Sequence, residues 1–198
     1  MSERLGIFGG TFDPPHVGHL VTAVNVRHEL RLDRVLLVVS GQPWQKIGTR
    51  VISDAEDRFA MVEAAVGDVE GIEASRIEVD RPGMSYTADT LAELAATTPA
   101  PELFVILGAD AAAGIMTWER VEEVRELATI VVVDRPGTRD VEAPPGWSWV
   151  HVEVPRLEVS STDLRARVVD GRPLDYLLTP EVIDCIEARG LYRERVSP

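Results

Sequence analysis

The chain predicts an α/β fold, a doubly wound (Rossmann-like) and mostly parallel sheet with a small helical unit at its C-terminal end. Three observations carry that expectation. Short apolar runs rich in Val, Ile and Leu alternate with segments of helical period along most of the length, the pattern of βαβ units whose strands are buried on both faces. The first run empties through Gly9-Gly10-Thr11-Phe12-Asp13-Pro14-Pro15-His16-Val17-Gly18-His19 into a helix-like stretch. Beyond residue 158 the strand pattern gives way to two segments that read as capped helices.

Taken in order, Leu5–Phe8, Val35–Val39, Leu103–Leu107 and Ile130–Val133 read as buried strands. Ile77–Val79 and Val150–Val154 are shorter or more alternating and read as strands nearer an edge. Helices are expected over Leu20–Leu30, after Ser53, where Ser53 and Glu56 match a capping box, and over Tyr86–Ala96 and Trp118–Ala128. Ser160-Ser161-Thr162-Asp163 reads as the start of a helix ending near Gly171, and Thr179-Pro180 opens a final helix that stops at Gly190. One domain over residues 1–198 follows, with an α/β core at 1–158 and a helical unit at 159–198. The Gly- and Pro-containing segments Gly41–Ile52 and Arg135–Gly146 read as mobile connections.

Composition bounds the function. At 198 residues and 45% hydrophobic the chain can bury a sizeable core. A single cysteine, Cys185, excludes an internal disulfide and a thiolate metal cluster, and reads as a small apolar core residue. No apolar stretch is long enough for a membrane span and Met1-Ser2-Glu3-Arg4 does not open a signal peptide, so a cytoplasmic setting is expected. A formal charge of -13 argues against a coat for nucleic acid or an anionic membrane. Assembly into a homo-oligomer is compatible with the sequence and not specified by it.

The glycine-rich turn before a helix start suits a phosphate, because free backbone N–H groups and the positive end of the helix dipole point there. His16 and His19, three residues apart, can face the same anion. On so acidic a chain, positive charge at the site must be placed residue by residue with help from Mg²⁺. Lys46 is the single lysine, and reads either as a phosphate contact or as a solvated loop charge. The P-loop pattern, a Gly-x-Gly-x-x-Gly after the first strand, and a nucleophile elbow are all absent. A zinc site built on His16, His19 and His28 lacks a third ligand of suitable spacing, and His28 reads as a surface or packing residue.

His16-Val17-Gly18-His19 resembles the signature of the nucleotidylyltransferase superfamily, and Val159-Ser160-Ser161-Thr162-Asp163-Leu164-Arg165 resembles its second, late element. The resemblance implies transfer of a nucleotidyl group from a nucleoside triphosphate. Such chemistry needs alignment and charge stabilisation rather than an obligatory covalent intermediate. His19 would then contact the α-phosphate of ATP and His16 a neighbouring phosphate oxygen. Ser161, Thr162 and Arg165 would take the β- and γ-phosphates, Gly9, Gly10, Thr11 and Phe12 would line the cradle, and Mg²⁺ would screen the triphosphate. Helix capping by Ser160 to Thr162 uses the same exposed amides and holds at the same time.

Three further stretches make the chain similar to the bacterial nicotinate-nucleotide adenylyltransferases: Arg81–Leu91, Leu107-Gly108-Ala109-Asp110 and Thr117-Trp118-Glu119. That resemblance implies that ATP and nicotinate mononucleotide are the substrates, giving deamido-NAD and pyrophosphate. Trp118 would stack on the pyridine ring, Ser85, Tyr86 and Thr87 would meet its carboxylate, and Gly108 and Asp110 would lie beside the adenosine. Read without the resemblance, Trp118 is a core aromatic on a helix and Tyr86-Thr87 a plain helix start. Many relatives carry a histidine before the loop lysine, whereas Gln45 stands before Lys46 here. Trp44 reads as a lid residue or as packing under the loop. The competing expectations are a sister enzyme for nicotinamide mononucleotide or phosphopantetheine, and a non-catalytic nucleotide sensor.

Overall fold

The computed structural model describes residues 2–43, 52–67, 69–97, 99–134, 141–155 and 157–193. Its strands are β1 (Arg4–Gly10), β2 (Arg34–Val39), β3 (Ile72–Ser75), β4 (Glu102–Gly108), β5 (Ala128–Asp134) and β6 (Trp149–Glu153). All neighbours pair in parallel, in the order β3-β2-β1-β4-β5-β6. The helices are α1 (Val17–Glu29), α2 (Ala55–Val66), α3 (Ile77–Asp80), α4 (Thr87–Ala95), α5 (Ala109–Ala113), α6 (Val121–Leu127), α7 (Ser161–Asp170) and α8 (Pro180–Arg189).

Strand alternation explains the layering. Val35, Leu37 and Val39 of β2 join Phe104, Ile106 and Val131 on one face, where α1 adds Ala23 and Val26 and α2 adds Val62 and Val66. Leu36 and Val38 join Leu5, Ile7, Val105 and Ile130 on the other, covered by Ala88 and Leu91 of α4 and Val124 of α6. Each fully buried Leu37, Ile106 or Ile130 contributes about 1.5–3 kcal/mol. Exposed ion pairs such as Arg4–Glu102 add about 0–1 kcal/mol. Two apolar layers therefore hold the sheet, and surface charge does not.

The chain winds outward from β1 to β3, then crosses back to place β4 on the other side of β1. That reversal leaves a crevice beyond the C-terminal ends of β1 and β4, where ligands bind in folds of this class.

α7 and α8 follow their sequence signals. Ser160 caps α7 by accepting the Asp163 N–H, Thr179 caps α8, Pro180 sits at its first turn, and both helices stop at left-handed Gly171 and Gly190. Leu164, Leu178, Val182 and Ile186 form a third cluster with Met61 and Ala65 of α2. Cys185 is partly buried against the same cluster.

Four local expectations fail. Ile77–Val79 is helical, within α3, and the edge strand lies upstream at Ile72–Ser75. An Ile-Glu-Val triplet satisfies strand alternation and a single helical turn equally well. The cap of α2 is Asp54, whose carboxylate accepts the Glu56 N–H at 2.9 Å, while the Ser53 carbonyl accepts from Arg58. Trp118 is extended and precedes α6, because a 3₁₀ turn at Ile115–Thr117 and a left-handed Arg120 interrupt the helix before it can start. α1 also begins earlier than the apolar period suggested, directly after His16.

Candidate active site

Gly9 and Gly10 are the last two residues of β1, and six residues of loop separate them from α1. A side chain at Gly9 would meet nothing within 4 Å, so the strand end is open to a ligand. A Cβ at Gly10 would lie 2.8 Å from the Phe12 ring, which folds back over it. Phe12 takes φ 48 to make that turn, and its ring stands edge-on to His19 at 5.0 Å.

His16 is the N-cap residue of α1 and His19 lies in the first turn, so their rings stack at 3.7 Å. The intervening glycine leaves room for the His16 ring: a Cβ at Gly18 would approach His16 Nδ1 to 3.0 Å, a tighter contact than most Cβ atoms make. The His16 backbone N–H donates to His19 Nδ1 at 3.1 Å. An Nδ1 that accepts this bond places the proton of a neutral imidazole on Nε2.

Burial pushes the His16 imidazole down to about 4, so it is neutral near pH 7. The unfolded chain binds this proton below about 6.5 and the folded chain does not, so the stability conferred by a neutral His16 is whole above pH 6.5. It falls by roughly 3 kcal/mol as pH drops from 6.5 through 4. The melting temperature of His16→Asn is accordingly expected to vary less steeply over that interval than the wild type's. Parallel curves would remove His16 as the cause.

The C-terminal unit closes on this loop. Arg165 donates to the Asp13 carbonyl at 2.7 Å and to Thr162 Oγ1 at 3.2 Å, and the Ser161 hydroxyl donates to the Pro14 carbonyl at 2.8 Å. Val17 N–H donates to the Leu177 carbonyl at 3.0 Å. Tyr192 donates to the buried carboxylate of Asp13 at 2.8 Å, and burial raises the phenol above its ordinary range. The structure thus brings Ser161, Thr162 and Arg165 against the Asp13-Pro14 backbone of the loop that carries His16 and His19 into α1. It also shows that the Val17 amide is already bonded to the protein.

On the crevice side a cavity of ≈ 610 Å³ opens, and its lining includes Gly9, Gly10, Thr11, Ser85, Tyr86, Thr87, Asp110 and Trp118. Tyr86 is the N-cap of α4, and the Ser85 turn is tied to the end of β2 by Ser85 N–H on the Gln42 carbonyl and Gln42 N–H on Ser85 Oγ. Gly108 caps α5, placing Asp110 at the end of β4. The histidines and the start of α7 gather at the same end of β1 without lining this cavity. His28 is exposed at the far end of α1. Trp44 and Lys46 lie outside the described residues.

Sequence reading missed three groups here. Glu78 is buried under the Ser85 turn, where it accepts from Thr90 at 2.7 Å, and burial raises its carboxyl despite hydrogen bonds from Thr90 and Ser85. Asp13 is 1% exposed, and Arg58 is 1% exposed beneath the loop. For Arg58 a signal existed, since it shares a helical stripe with Met61, Val62 and Ala65.

A family model described as cytidylyltransferase-like matches residues 7–167. A Streptomyces coelicolor protein named "probable nicotinate-nucleotide adenylyltransferase" is 48% identical over 187 residues, covering 93% of this chain and 98% of its own. The chain belongs to the nicotinate-nucleotide adenylyltransferase family. A Frankia alni member with the same name is 48% identical over 189 residues, covering 94% and 99% of the two chains. In three dimensions, the Plasmodium falciparum nicotinic acid mononucleotide adenylyltransferase solved with NaAD superposes with a TM-score of 0.77 at 17% identity, covering 96% of this chain and 97% of its own. That likeness extends the family's fold to a distant relative.

Proposed function

We infer that this chain transfers the adenylyl group of ATP to nicotinate mononucleotide, releasing pyrophosphate and forming deamido-NAD for NAD synthesis. A phosphate oxygen of the mononucleotide attacks the α-phosphorus, the bond from that phosphorus to the oxygen bridging the β-phosphate breaks, and pyrophosphate leaves with the electron pair. No covalent enzyme intermediate is needed.

One observation carries the division of labour. A histidine loop pinned by α7 and an open cavity walled by Ser85, Tyr86, Thr87 and Trp118 share the strand end at Gly9 and Gly10. In this reading His19 Nε2–H and Arg165 meet the negative charge that builds on the transferring phosphate. Neutral His16 orients the same oxygens, and Ser161 and Thr162 receive the distal phosphates. Asp110 accepts from a ribose, and Gly108 lets the adenosine approach the end of β4. The start of α4 offers amides, hydroxyls and a positive dipole end to the substrate carboxylate, favouring the acid over the amide. Trp118 supplies an apolar face for the pyridine ring. Lys46 is a further phosphate contact in this scheme.

Mg²⁺ fits as a companion of ATP. It binds through substrate phosphates and few protein groups, and among the described residues no group of three His, Cys, Asp or Glu side chains is placed to hold a metal. When bound it screens the triphosphate charge. Among the described residues no helix is long and apolar enough to cross a membrane.

The test offers purified protein ATP and Mg²⁺ with nicotinate mononucleotide, nicotinamide mononucleotide or phosphopantetheine, and follows product and pyrophosphate. A carboxylate held by charge-assisted hydrogen bonds predicts a preference for the acid of ~10-fold or more in kcat/KM. Equal rates across the panel would remove the acceptor assignment. Nucleotide binding without turnover would favour a sensor.

A further inference from the structure

Arg58 has an unusual address. It occupies the buried stripe of α2, where an apolar side chain would pack without cost, and its guanidinium keeps its charge at every accessible pH. Burying such an ion costs several kcal/mol unless its donors are well matched. Here they are: Nη1 donates to the Thr11 carbonyl at 2.9 Å and the Ser40 carbonyl at 2.7 Å, Nη2 to the Gly41 carbonyl at 3.1 Å, and Nε to the Ser53 carbonyl at 2.9 Å. These carbonyls belong to three stretches of backbone: the exit of β1, the exit of β2 and the entry to α2. Packing alone does not call for an arginine at this point, whereas joining three diverging backbones does. Only a planar fork with several fixed donors reaches all four acceptors at once.

We propose that Arg58 is a positioning residue for adenylyl transfer, fixing the Thr11 backbone from which the histidine loop hangs. This rests on the reading of His19 as a phosphate contact. The route is short and physical. Arg58 holds the Thr11 carbonyl, Phe12 follows with a left-handed backbone, and the Phe12 ring stands against His19. Thr11 itself lines the cavity. A shift of the β1 exit would carry both the His19 ring and the cavity wall with it.

The experiment compares wild type, Arg58→Lys and Arg58→Ala at saturating ATP and nicotinate mononucleotide, with each KM, the melting temperature and amide exchange over residues 9–19. Arg58→Lys keeps the buried charge but loses the fork. Its kcat is expected to fall ~10²-fold, the scale of an ångström-sized misplacement, with the KM values rising by a much smaller factor as the cavity wall at Thr11 shifts, and with faster exchange over 9–19. Arg58→Ala is expected to recover kcat saturably with added guanidinium at sub-denaturing concentration, and not with methylammonium. Lysine-variant turnover within about twofold of wild type, or losses in both variants that merely follow the unfolded fraction, would overturn the proposal. An inactive wild type would instead count against the adenylyl-transfer reading itself.

Discussion

Replacing His19 by alanine is expected to lower pyrophosphate release at saturating substrates by ~10²-fold or more, the usual cost of losing one preorganised donor to a developing charge. ATP binding should weaken far less, because the contact strengthens only as the bond to pyrophosphate breaks. The structure gives a reason why a histidine is needed at this point. The His16 N–H occupies Nδ1 and thereby assigns the proton to Nε2, and the rings of Phe12, Phe8 and His16 hold the imidazole from several sides. Paying the orientation cost during folding is what makes the donor effective in the transition state. The check is a pyrophosphate assay on both proteins, with calorimetric titration of ATP in parallel. Equal rates would dismiss His19 from the chemistry. Equal losses in rate and in ATP affinity would make it a ground-state contact only.

What could be read from the sequence was what neighbours along the chain decide. Leu5–Phe8 followed by two glycines, and His16 and His19 flanking Gly18, were legible because the strand, turn and helix start lie within about twenty residues. The caps Ser160 and Thr179 and the stops Gly171 and Gly190 were legible for the same reason. The spacing of Trp118 to later apolar residues fits a helix that the structure does not form there. The left-handed Arg120 that ends the pattern binds Asp89 on α4, a partner the local sequence does not announce. Glu78 sits in an Ile-Glu-Val triplet whose alternation mimics a strand, and its partner Thr90 lies twelve residues on, so the local pattern hides the polar support under the Ser85 turn. Asp13 gave no signal either, since its partner Tyr192 comes 179 residues later. The apolar period reports which faces are buried. It is silent on which buried polar group meets which loop.

That distinction shapes what removal of Arg165 should do. Its guanidinium reaches 152 residues back to the Asp13 carbonyl and also contacts Thr162, so it is both a support for the histidine loop and a charge beside the expected triphosphate. Arg165→Ala is therefore expected to lower kcat/KM for ATP by ~10²- to 10³-fold, more than a single neutral donor would. Arg165→Lys separates the two duties. It keeps the charge and loses the planar fork, so it should recover part of the ATP affinity while kcat stays low. Full recovery by lysine would reduce Arg165 to a point charge. The double variant with His19→Ala tests whether the two residues act as one unit. If His19 is aligned by a loop that Arg165 holds in place, the second substitution removes little that the first has left, and the combined loss stays well below the product of the single losses. A combined loss equal to that product would mean that the α7 contact and the histidine work independently, and that the loop keeps its shape without its arginine.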